Sequence, residues 1–70
     1  MVLTYWIVHR DAPASDALMS GHLYVTNIEA AIRHVRGVPV PDGRASCDLE
    51  IILHRGGHEI WRGPYDAAGD

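Results

Sequence analysis

Gly56-Gly57 lies between two β-prone runs in the stretch DLEIILHRGGHEIWRGPY, Asp48 to Tyr65. A type I′ turn needs φ > 0 at both central positions, and glycine takes that conformation without steric cost, so the stretch reads as a β-hairpin. A two-residue loop fixes the register: Arg55 opposite His58, His54 opposite Glu59, Leu53 opposite Ile60, Ile52 opposite Trp61 and Ile51 opposite Arg62. Strand side chains alternate, so these pairs divide between two faces. Leu49, Ile51, Leu53 and Ile60 form the expected core face, with Arg62 and the Arg55/His58 pair towards its ends. Asp48, Glu50, Ile52, His54, Glu59 and Trp61 form the other, polar at its margins with an Ile52–Trp61 pair at its centre. A Trp beside an Ile on a sheet face calls for a cover: another side chain, the C-terminal tail or a second protein.

Upstream, Val2 to His9 (VLTYWIVH) is β-branched and aromatic and reads as a strand. Leu3, Tyr5 and Ile7 lie on one face; Val2, Thr4, Trp6 and Val8 lie on the other. Arg10 to Gly21 is a loop by composition, with one helical turn capped by Ser15 and with Leu18 and Met19 tucked beneath it. His22 to Val25 is a short strand. Thr26-Asn27-Ile28-Glu29 fits a capping box, with Thr26 as N-cap and Glu29 reaching back to it. Ile28, Ala31, Ile32 and Val35 then recur at helical spacing as one apolar stripe, and Gly37 is the expected left-handed stop. Pro39, Pro41 and Asp42-Gly43 make a stiff, then turning, connector. The sum is an α+β fold, β-β-α-β-β, with a small antiparallel sheet and one helix packed on one face. Residues 1–70 form a single domain, with 66–70 as a frayed tail.

A chain of 70 residues buries only about 60% of its unfolded surface, so its core leaves a small net stability. Cys47 is the single cysteine, which excludes an internal disulfide and fits a reducing, cytoplasmic setting. Net charge is −3, so no general basic field awaits nucleic acid. No apolar run approaches the ~18 residues of a membrane span, and the N-terminus lacks the pattern of a signal peptide. Six arginines and no lysine, with many Ala, Gly and Asp, match the codon bias of a GC-rich bacterial or phage genome.

Catalytic, cofactor and metal motifs are not expected. His54 and His58 fall on opposite strand faces across the turn, and Cys47 has no second cysteine at ligand spacing. One short helix covers one sheet face, so the other is expected to leave Trp6, Val8, Ile52 and Trp61 uncovered, rimmed by His54 and Glu59. The leading expectation is therefore a non-enzymatic protein-interaction module using Trp6, Val8, Ile52, His54, Glu59 and Trp61, with a homodimer through the same face as one form. The alternative is a single-strand nucleic-acid binder, with Arg10, Arg55 and Arg62 on phosphates and Trp6 and Trp61 stacking bases. The capping box, the helix to Arg36 and the hairpin about Gly56-Gly57 resemble the small phage-encoded anti-CRISPR inhibitors in size and element order. That resemblance implies a cofactor-free protein that blocks a bacterial effector complex by binding it, and it transfers no functional residue.

Overall fold

The run Val2–His9 forms β1, an inner strand with apolar side chains on both faces. The computed structural model describes residues 1–39 and 48–65. Its other elements are β2 (Met19–Tyr24), α1 (Ile28–Arg36), β3 (Leu49–Arg55) and β4 (His58–Pro64). They build one antiparallel sheet in the order β2-β1-β3-β4. β2 and β3 both run antiparallel to β1, so they run parallel to each other. A connection between parallel strands must cross a sheet face, and α1 makes that crossing.

The apolar stripe of α1 lies where its spacing places it. Ala31 and Val35 are buried, and Ile28 and Ile32 pack at the margin, against Leu3, Tyr5, Ile7, Leu23, Leu49, Ile51 and Leu53. The helix start differs from the capping box. Asn27 is the N-cap, and its Oδ1 accepts from the Ala30 amide at 2.8 Å. Asn caps at least as well as Thr, and it shifts the helix start by one residue. Gly37 ends the helix at φ −87°, not in the left-handed region. The final turn closes instead through short-range bonds, Gly37 N to His34 O and Val38 N to Val35 O, both 3.0 Å.

The strand β2 begins at Met19, three residues before the expected start, and it runs through Gly21. Gly21 lies opposite Tyr5, and the Tyr5 ring occupies the space a side chain would take: an added Cβ would sit 2.7 Å from it. The glycine is a seat for an aromatic ring and not a loop end. The loop before it forms a 3-10 turn at Ala14–Asp16, behind Pro13 and two residues earlier than the Ser15 cap predicts. Leu18 and Met19 pack against the core as expected. Downstream, the Tyr65 hydroxyl donates to the Val38 carbonyl. Arg36 Nη2 donates to the Pro64 carbonyl at 3.0 Å, tying the end of β4 to the end of the helix. The Asp42-Gly43 turn, Cys47 and the tail 66–70 lie outside the described residues.

Candidate binding face

The hairpin turn forms as the sequence dictates, with Gly56 at φ 60° and Gly57 at φ 85°. The pairs Arg55–His58 and His54–Glu59 follow it. The register then slips: Leu53 pairs with Trp61, Ile52 with Arg62 and Ile51 with Gly63. Ile60 is the extra residue of a β-bulge, which moves every following side chain of β4 to the opposite face.

The bulge corrects three expectations. Ile60 leaves the core and is 37% exposed. Trp61 leaves the Ile52 face and packs, half-buried, against the helix-side core. Its ring lies over Gly63, where an added Cβ would sit 2.5 Å from the indole. Arg62 leaves the core face and joins Glu50 on the other. The physical reason is Arg62: the straight register would place its guanidinium on the helix-covered face, where an unpaired charge is costly.

On the face away from the helix, Glu50 Oε1 accepts from Arg62 Nη2 at 2.8 Å and from Arg62 Nε at 3.0 Å. The same oxygen accepts the Asp11 amide at 3.1 Å, and Arg62 Nη2 also donates to the Ala12 carbonyl at 2.8 Å. Asp11 turns the chain at φ 65°, a conformation Asp tolerates better than most residues. The loop after β1 is thereby held across one end of this face. Beneath it, Val8 is 0% and Ile52 1% exposed, so neither is the uncovered residue the sequence predicts. Ile52 lies in a row between Trp6 and Arg62.

Burial pushes the Glu50 carboxyl up. The Asp11 amide, the Arg62 hydrogen bond and charge, and the Arg10 charge outweigh it and hold the group below its ordinary 4.5. A carboxylate with a lowered folded pKa contributes stability above its unfolded value and loses it as pH falls through the folded one. Glu50→Gln is expected to cost about 1–2 kcal/mol at neutral pH and to flatten the acid limb of the stability curve, as read by urea titration between neutral and acid pH.

Cover ends halfway along this face. Trp6, Thr4 and His54 are half-buried, whereas Val2 is 48% and Tyr24 88% exposed. The Trp6 ring meets His54 edge-on at 4.3 Å between centroids. His22 Nδ1 lies 3.2 Å from the Thr4 hydroxyl. His54 and Glu59 remain cross-strand neighbours, as expected. The structure thus brings Trp6, His54 and Glu59 to one open area, encloses Val8 and Ile52, and sends Trp61 to the other side. Val2, His22 and Tyr24 belong to the open area but went unmarked. The alternation of β1 already placed Val2 beside Trp6, and the register of β2 against β1, which sets His22 opposite Thr4 and Tyr24 opposite Val2, was the signal for the other two.

The nucleic-acid arrangement is not assembled. Trp6 and Trp61 lie on opposite faces, Arg62 is engaged by Glu50 and Ala12, and Arg55 sits at the hairpin tip on the helix side. The Arg10 backbone amide bonds Asp48 O at 2.9 Å at the far end of the sheet. Among the described residues, no group of three or more His, Cys, Asp or Glu is placed to hold a metal. No described helix is long and apolar enough to cross a membrane. No family model, curated protein or solved structure matches the chain.

Proposed function

We propose that the protein is a non-enzymatic module that binds another folded protein through the open half of the sheet face, centred on Trp6 and His54 and rimmed by Val2, His22, Tyr24 and Glu59. The observation that supports it is the gradient of burial on one face. The chain covers Val8 and Ile52 with its own loop and leaves a Trp–His pair and a fully presented Tyr beside them. Half-exposed Trp and Tyr with polar tips are the residues that anchor protein contacts. The likeness to anti-CRISPR inhibitors in size and element order points to a bacterial effector complex as the target and to inhibition by occupancy as the mode of action.

Affinity capture from a bacterial lysate tests the reading, with the wild-type chain and a Val2→Asp/Trp6→Ala double variant as baits. The variant must first be shown to fold. A stoichiometric partner held by the wild type and lost by the folded variant is the expected result. A partner held equally by both overturns the assignment of this face.

A further inference from the structure

The two edges of the sheet are built differently. The edge strand β4 carries a bulge at Glu59–Trp61, the charges of Glu59 and Arg62, and Pro64 at its end. These are the usual devices that stop a sheet edge from pairing with another chain. The strand β2, Met-Ser-Gly-His-Leu-Tyr, has none of them: no formal charge, no proline and an unbroken register with β1 over six residues.

The hydrogen-bond phase of β2 shows which groups face outward. Met1 and Val25 exchange both bonds, Val25 N to Met1 O at 3.0 Å and Met1 N to Val25 O at 2.6 Å. In an antiparallel ladder the bonded pairs alternate, so the odd residues of β2 bond β1. The even residues Ser20, His22 and Tyr24 direct their N–H and C=O groups outward. The other side of β1 agrees, since Arg10 N bonds Asp48 O and continues the even phase towards β3. No described strand receives the outward groups of β2.

We infer that two copies of this chain pair through β2, antiparallel about a two-fold axis, to form a continuous eight-stranded sheet. The occupant is a second copy because the edge is self-complementary. Centring the axis on His22 uses all six outward groups, with Ser20 opposite Tyr24 of the second copy and His22 opposite its equivalent. The same register places the 88% exposed Tyr24 over a serine on the open face. On the helix side it places Val25 opposite Met19, two half-buried apolar residues. A strand free of charge lets like meet like in a chain of net charge −3. Association also adds stability to a domain whose own core is small. The seam shares His22 and Tyr24 with the rim of the proposed target-binding face, whose centre at Trp6 and His54 lies on the inner strands β1 and β3, and it sets two such faces side by side.

Sedimentation equilibrium on the full chain tests the pairing. The wild type is expected to show a reversible monomer–dimer equilibrium. His22→Lys sets two ammonium groups opposite each other and is expected to weaken the dimer at least about tenfold. His22→Pro, which removes an outward N–H and none of the bonds to β1, is the second variant should His22→Lys not fold, and it too is expected to weaken the dimer at least about tenfold. His58→Lys, on the β4 edge, is expected to leave the dimer constant unchanged. A wild type that stays monomeric overturns the inference, as does a dimer indifferent to both His22 variants or one broken equally by His58→Lys.

Discussion

Trp61→Ala is expected to destabilise the fold by about 2–3 kcal/mol, against about 1 kcal/mol for Trp6→Ala, in urea unfolding. A fully buried Trp truncation costs about 3–5 kcal/mol, and half-burial reduces that. The bulge at Ile60 turns the indole onto the helix-side core, over Gly63 and beside the cluster of Leu53, Ile51 and Val35. Trp6 meets His54 edge-on at the open face and flanks Ile52, and it lies outside the helix-side core cluster. For a domain of this size, with a net stability of about 3–5 kcal/mol, the Trp61 variant sits near its unfolding midpoint. Equal costs for the two variants would contradict the division of the tryptophans between faces.

Ile52→Ala is expected to cost about 2–4 kcal/mol, as much as Ile51→Ala, although the two residues point to opposite faces. Ile51 lies under the helix; Ile52 lies between Trp6 and Arg62, at the end of the face where the Asp11–Ala12 segment is tied to Glu50 and Arg62. Both are effectively sealed, at 0% and 1% exposure. Ile60→Ala, at the bulge, is expected to change stability by no more than about 0.5 kcal/mol. Urea midpoints at constant slope provide the comparison. A mild Ile52 effect beside a severe Ile51 effect would show that the loop does not seal this face.

The helix, the turn and both apolar faces of β1 were legible because each rests on local periodicity or on a residue with a special backbone preference. The Gly56-Gly57 turn is set by φ alone, and the Ile28/Ala31/Ile32/Val35 stripe by spacing alone. The bulge was not legible from the turn, because a two-residue loop fixes only the pairs beside it. Its signals lay further along β4. Arg62 on the core face of the straight register was a warning, and so was an indole two residues before Gly63, where the missing side chain leaves room for the ring. The covering of Val8 and Ile52 depends on a salt bridge spanning 12 residues and a carbonyl contact spanning 50. Tertiary ties of that range carry no local signature. The six residues expected to share one uncovered face are therefore divided by the structure. Trp6, His54 and Glu59 remain on the open half, Val8 and Ile52 are enclosed, and Trp61 belongs to the core.

The slip in register after Glu59 divides the two faces, and nuclear Overhauser contacts across the hairpin measure it directly. The bulged register predicts cross-strand contacts between Leu53 and Trp61, and between Ile52 and Arg62, with the Gly63 α protons shifted upfield beneath the indole. Contacts of Ile52 with Trp61 and of Leu53 with Ile60, with unshifted Gly63 protons, would contradict it.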